Sequence, residues 1–212
     1  MSDLATLAQC IIDGDNKRAA ELAQQALNEG TSPVDVLNQG LQAGVAVIGQ
    51  RFRDGECFVP EVLLAARAMH AGLDVLRPHL ADTGASTIGR VVIGTVAGDL
   101  HDIGKNLVGM MLEGTGFEVI DLGVDLSTQA IVEAVEKHSP DILGLSALIT
   151  TTMPAMEQTI RALEEGEVRD RVKVIVGGAP VTREYASRIG ADAYGADAGD
   201  AVDVCKALLG QR

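Results

Sequence analysis

Tryptophan is absent from the 212 residues, and with two tyrosines and three phenylalanines the aromatic share is only 2%. A core without large rings must be built from Ala, Val, Leu and Ile. The 24 glycines then point to close helix–strand packing, or to backbone pressed against a buried ligand. Positive charge is also scarce. Lys and Arg total 17 against 30 Asp and Glu, a net charge of −13. That balance repels phosphate backbones and anionic lipid, so neither a nucleic-acid nor a membrane-surface partner is expected. No apolar run approaches the ~18 residues of a spanning helix. The opening MSDLATLAQC lacks the basic-then-apolar pattern of a signal peptide. Three cysteines (Cys10, Cys57, Cys205) are odd in number and far apart, which suits a reducing cytoplasm and neither a disulfide framework nor a zinc knuckle. What is plentiful is aliphatic. Hydrophobic residues make up 47% of the chain, which excludes disorder, and the length accommodates two small domains.

The hydrophobic period divides the chain. Up to residue 80 it is helical throughout. Leu4, Leu7, Ile11 and Ile12 share one face. Asp15 can cap a second helix carrying Ala19, Leu22, Ala26 and Leu27, with Gly30 to end it. Ser32-Pro33 is a cap followed by a first-turn proline, ahead of the stripe Leu37, Leu41, Val45, Ile48 and Phe52. Arg53-Asp54-Gly55 breaks that helix and Pro60 opens a fourth. Four helices with short connections predict an up-and-down bundle over 1–80. A polar stretch, 81–87, reads as a linker. From 88 to 212 short β-rich runs (90–95, 118–122, 142–146, 172–176 and one near 191–194) alternate with helical ones. That alternation predicts an α/β domain with a doubly wound, Rossmann-like (flavodoxin-like) parallel sheet. A strand order of 2-1-3-4-5 would bring the ends of the first and third strands together at the switch point, where ligands bind in such sheets.

Unusual residues cluster at those strand ends. Gly98-Asp99-Leu100-His101-Asp102-Ile103-Gly104-Lys105-Asn106 follows the first strand. Ser146-Ala147-Leu148, with Thr150, Thr151 and Thr152, follows the third, and Gly177-Gly178 the fourth. A carboxylate beside His101 can fix the imidazole tautomer and make the other ring nitrogen a better ligand or base. No HExxH or other local multi-histidine spacing supports a conventional zinc site. A single protein nitrogen makes sense as a ligand if the metal arrives in its own macrocycle. Taken singly, each feature has a plainer reading. An isolated Asp-x-His is more often a helix cap with a loop carboxylate, Gly-Gly an ordinary turn, Ser146 a strand-end hydroxyl, and three threonines a capping cluster.

Taken together they resemble the cobalamin-binding signature Asp-x-His-x-x-Gly … Ser-x-Leu … Gly-Gly. Asp99 to Gly104 is followed after 41 residues by Ser146-Ala147-Leu148, and after 28 more by Gly177-Gly178. In the helical half, the run from Phe52 to Val62 (FRDGECFVPEV) is similar to the cap of corrinoid methyltransferase proteins. The whole chain thus resembles the free-standing corrinoid proteins of methylamine and methanol systems and the cobalamin module of methionine synthase.

The resemblance implies a cobalamin cofactor containing cobalt, as methylcobalamin, cob(I)alamin or a related corrinoid. It implies His101 as the lower axial ligand of cobalt, replacing the cofactor's dimethylbenzimidazole. Asp99 would tune the imidazole, and Thr152 stands where methionine synthase has the relay hydroxyl, six residues after the Ser-x-Leu serine. Gly104, Ser146, Leu148, Gly177 and Gly178 would line the slot for the nucleotide tail. Thr150 and the backbone of Gly98, Leu100 and Asp102 would lie near the corrin, and Phe58 would belong to the cap over its upper face, with 81–87 as hinge. A lone aromatic such as Phe58 is otherwise more often core. The implied role is a methyl carrier rather than a complete enzyme. Its expected partners are a substrate-specific methyltransferase, a second methyltransferase passing the methyl group to a thiol or tetrahydrofolate, and a reductive reactivation protein. Three alternatives stand beside it: the small subunit of an adenosylcobalamin mutase, a cobalamin sensor, and a doubly wound domain with another ligand or none.

Overall fold

The computed structural model describes residues 3–80 and 87–210. It divides into two compact units, residues 1–86 with 114–116, and residues 87–113 with 117–212. The expected linker, apart from Thr87, lies outside the described residues.

The first unit is helical. α1 (Leu4–Asp13) starts at Asp3, whose carboxylate accepts the Ala5 and Thr6 amides, and ends at Gly14 with φ +71°. α2 (Asn16–Asn28) is capped by Asp15, which accepts from the Arg18 amide. The third rod runs through α3 (Pro33–Asp35), a π-helical stretch (Val36–Gln42) and α4 (Ala43–Arg53). The wider π turn shifts the apolar stripe, so Val36 and Gly40 are buried and the expected Leu37 is only half-buried. α5 (Val59–Leu80) begins one residue ahead of Pro60, where the Glu61 carboxylate accepts the Phe58 amide at 2.9 Å. Small residues let these helices approach closely. A Cβ on Gly40 would lie 2.6 Å from Leu7 Cδ2, and one on Gly72 the same distance from Leu41 Cδ2.

The second unit alternates β1 (Arg90–Thr95), α6 (Ile103–Gly114), β2 (Glu118–Asp121), α7 (Thr128–His138), β3 (Ile142–Ser146), α8 (Pro154–Glu165), β4 (Lys173–Gly177), α9 (Arg183–Arg188), β5 (Ala193–Gly195) and α10 (Ala198–Leu208). The sheet is parallel throughout, in the order β2-β1-β3-β4-β5. On one face Val92, Leu143, Leu145, Val174 and Val176 join Ile131 and Val135 of α7 and Met156, Ile160 and Leu163 of α8 in one core. The alternate positions Val91, Ile93, Ile142 and Ile175 are buried as well, which is why these strands read as continuous apolar runs. β4 and β5 start later than the sequence pattern suggests. A 3₁₀ turn (Arg169–Arg171) occupies the approach to β4. α10 begins three residues early because Asp197 accepts the Asp200 amide and Asp200 accepts the Ala196 amide, a reciprocal cap.

All three cysteines are buried, and burial pushes the Cys205 thiol up to about 12. No helix among the described residues is long and apolar enough to cross a membrane.

Gly44 of α4 tests the close packing of the helical unit. A Cβ there would lie 2.6 Å from both the Ala8 carbonyl oxygen and Ile11 Cβ. Alanine in a helix interior ordinarily gains about 0.5–1 kcal/mol over glycine. Here Gly44→Ala should instead cost about 1–3 kcal/mol through overpacking, read as a lower denaturation midpoint. A raised midpoint would show that the α1–α4 contact has slack.

Candidate functional site

The strand order reverses between β1 and β3, so the loops leaving these two strands face one crevice. Register fixes their meeting. Thr95 pairs with Ser146, and Ser146 with Gly177, a row across the carboxyl edge of the sheet. Into this row the β1 loop delivers Asp99, whose side chain is fully buried.

A buried carboxylate would normally take up a proton, because burial disfavours its charge. Burial does push Asp99 upward, but it is outweighed by hydrogen bonds from the Leu148 amide, the His101 ring and amide, and the Thr152 hydroxyl, so its pKa falls well below the usual carboxylate range. Oδ1 accepts the His101 amide at 3.1 Å and lies 2.7 Å from His101 Nδ1. Oδ2 accepts the Leu148 amide at 2.7 Å, the Thr152 hydroxyl at 2.8 Å and, more weakly, the Ile149 amide at 3.4 Å. An ionised carboxylate only accepts, so Nδ1 carries a proton, and in the neutral ring the lone pair is on Nε2. The ring is not enclosed, with 53% of the His101 side chain exposed.

Two buried polar residues near the pair were not singled out by sequence reasoning, and one of them touches it. Thr95, fully buried, donates its hydroxyl to the His101 carbonyl at 3.0 Å. Lys105, also buried, donates to Asp121 Oδ2 at 2.5 Å and Asn106 Oδ1 at 2.7 Å, tying the first turn of α6 to the end of β2. A lysine in the first turn of a helix carries no signal of burial; Lys105 would have stood out only as a lysine on the inward face of an apolar helix.

The remaining expected residues fall into different surroundings. Leu100, Asp102, Leu148 and Thr150 are exposed, and Asp102 accepts from the Asn106 side chain at 3.1 Å. Gly98 has φ +79°. Ser146 is half-buried in the row just described. A Cβ on Gly178 would sit 1.9 Å from the Ala147 carbonyl oxygen, so that glycine is required by the fold itself. A Cβ on Gly177 would come within 3.1 Å of the Gly195 carbonyl oxygen, whereas one on Gly104 would meet nothing within 4 Å. Thr152 is not simply a cap, since its hydroxyl reaches Asp99. Phe58 lies in the helical unit, and its 68% exposure rules out the core reading.

This donor set suits a metal already held in a macrocycle. Among the described residues no three His, Cys, Asp or Glu side chains gather as a metal site. One imidazole nitrogen is offered, and on the two loops that meet at Asp99 and the start of α6, Leu100, Ile103, Leu148 and Ile149 expose 72%, 68%, 42% and 40% of their surface. Exposed aliphatics beside one polar atom suit a large, mainly apolar ring.

The charge on Asp99 makes a pH-dependent prediction. Its pKa is lowered from an ordinary value of 3.8, so on acidification the unfolded chain binds the proton first. The stabilisation is complete above about pH 4 and is lost as pH falls towards the lower folded value. Urea unfolding of the cofactor-free chain should therefore weaken below pH 4, with a shallower decline in Asp99→Asn. Equal pH slopes in the two proteins would contradict the assignment.

Comparison with known proteins bears on the family and the fold. A B12 binding domain model matches residues 89–209, and a second model of the same description matches residues 4–77. A corrinoid protein of Desulfitobacterium hafniense (strain Y51) is 44% identical over all of this chain and 99% of its own. A trimethylamine corrinoid protein of Methanosarcina mazei is 44% identical over 97% of this chain and 95% of its own. The crystal structure of the methanol:cobalamin methyltransferase complex of Methanosarcina barkeri contains a chain that superposes with a TM-score of 0.86. It is 32% identical, across 97% of this chain and 79% of that one. With a parallel sheet in the 2-1-3-4-5 order and matches spanning both halves, the chain belongs to the cobalamin-binding corrinoid proteins of methyltransferase systems.

Proposed function

We propose that the chain carries methyl groups on a cobalamin held base-off, with His101 Nε2 as the lower ligand of cobalt. The observation that supports this most directly is the 2.7 Å contact of His101 Nδ1 with an ionised, buried Asp99, which leaves Nε2 free and outward. Bound cobalamin supplies a nucleophilic cobalt that takes up a methyl group and gives it away. The protein's part is to bind, orient and tune. Asp99 holds the Nδ1 proton and raises the donor strength of the ring, and Thr152 with the Leu148 amide holds Asp99. Gly104, Ser146, Leu148, Gly177 and Gly178 line the slot for the displaced nucleotide tail, Gly178 by letting the Ala147 backbone come close. Gly98, Leu100, Asp102 and Thr150 lie along the corrin edge, and residues 1–80 with Phe58 serve as the cap of a cobalamin-binding domain at 88–212.

As a carrier the chain meets a substrate-specific methyltransferase, a second methyltransferase with a thiol or tetrahydrofolate acceptor, and a reductive reactivation protein, all in the cytoplasm. The relatives named for trimethylamine and methanol systems, matched across both halves of the chain, favour this role over a mutase subunit or a sensor.

Mixing the purified chain with hydroxocobalamin and desalting should leave a corrin spectrum on the protein. His101→Ala should shift the axial-ligand bands, and Asp99→Asn should weaken retention about 10–100-fold. A colourless wild-type protein would sink the carrier reading.

Gly104→Ala separates ligand from fold. Space at that position is open, so the cofactor-free chain should melt at or slightly above the wild-type temperature while losing cobalamin affinity. Unchanged affinity would remove Gly104 from the slot.

A further inference from the structure

Three described residues other than glycine have positive φ: Asp125, Ser139 and Glu167. Ser139 is the left-handed cap of α7, and Glu167 follows the last turn of α8. Asp125 ends no helix. It lies in the loop between β2 and α7, exposed, at φ +53°, a conformation that costs free energy in a residue with a side chain.

Its hydrogen bonds supply a reason. Asp125 Oδ1 accepts the Gly98 amide at 2.7 Å across 27 positions of chain, and the Asp125 amide donates to the Asp99 carbonyl at 3.0 Å. The preceding loop prepares this grip. Leu122 donates to the Ile93 carbonyl, Thr95 to that of Gly123, and Leu126 to that of Thr95, so residues 122–126 run along the exit of β1 as an added edge. Gly98 is itself at φ +79° and has no side chain with which to fix its place. Its amide immediately precedes Asp99, and Asp99 carries His101.

We propose that Asp125 is a positioning residue for the cobalt-facing pair: its two-way clamp on Gly98 and Asp99 sets where the Asp99 carboxylate, and through it the His101 ring, is held. The inference rests on the reading of His101 as cobalt ligand. Aspartate suits the task because its short carboxylate reaches a nearby amide and its backbone tolerates this region, and asparagine shares both properties.

The test compares the full chain with Asp125→Asn, Asp125→Gly and Asp125→Ala, each labelled with 15N in the histidine imidazoles and loaded with cob(II)alamin. Ligation by the labelled ring gives a nitrogen doublet in the electron paramagnetic resonance spectrum, in place of the triplet from the cofactor's own base. Wild type and Asp125→Asn should show the doublet and bind cobalamin within about twofold of each other. Asp125→Gly, which relieves the backbone strain but removes the acceptor, should lose much of the doublet and bind about tenfold more weakly, the lower end of what supporting hydrogen bonds contribute at metal sites. Its cofactor-free melting temperature should stay near wild type. Asp125→Ala lacks the acceptor and keeps the strain, and should do worse in both; if it does not fold, the Asn and Gly variants decide. A doublet and affinity in Asp125→Gly equal to wild type would overturn the proposal alone. A wild-type protein without the doublet would instead overturn the His101 ligand reading, and this proposal with it.

Discussion

A fully buried carboxylate sits where the strand order reverses, and the crevice is organised around keeping it charged. Removing a carboxylate from water disfavours its ionised form by several kcal/mol unless donors replace the solvent. Asp99 takes two donors from its own loop and three from the loop leaving β3, 49 to 53 positions later. Those loops meet only if β1 and β3 are neighbours in the register that sets Thr95 beside Ser146. A slip of one residue would carry the Leu148 amide about 3.3 Å along the strand, out of hydrogen-bonding range. Sheet register and the charge of one side chain are therefore the same constraint seen at two scales.

The chemistry of His101 follows from that charge. Because Asp99 is an obligate acceptor, the tautomer of the imidazole is set by the protein rather than by a prospective ligand. The partner inside is buried and multiply bonded, while the ring outside is half exposed, so one end of the relay is rigid and the other accessible. Most of the rigidity comes from backbone amides, which are already ordered by the fold and cost little further entropy. Leu100, Ile103, Leu148 and Ile149, from the same two loops and the start of α6, add exposed aliphatic surface. That combination is suited to a ligand with one electrophilic centre in a broad hydrophobic plane.

The architecture was legible because burial leaves a period in the letters. β1 and β3 coincide with their apolar runs to the residue, and the helix starts at Asn16 and Pro33 follow cap letters. Boundaries slipped where a hydrogen bond, not a period, sets them, as at α10, whose start depends on the reciprocal Asp197–Asp200 cap. At the site, Asp99 and His101 were visible as a motif, and Thr152 by its spacing from Ser146. The Leu148 and Gly98 amides could not be seen in that way, since every residue but proline has one. Thr95, Lys105 and Asp125 matter through what they bond in the fold, and their letters alone are those of a strand end, a helix surface and a turn.

The glycines carry this point furthest, because identical letters in one signature have opposite causes. Gly178 is glycine because the Ala147 backbone already fills the place of a side chain, and its φ of +126° would strain any other residue. The protein needs it whether or not a ligand binds. Gly104 has neither constraint, being in a helix with open space around it, where alanine would be the better helix former. A glycine that the fold does not ask for is what a ligand lying close to the backbone, as proposed at this position, would require. Of all the residues in the signature outside the Asp99–His101 pair, Gly104 therefore gives the strongest physical argument for a ligand.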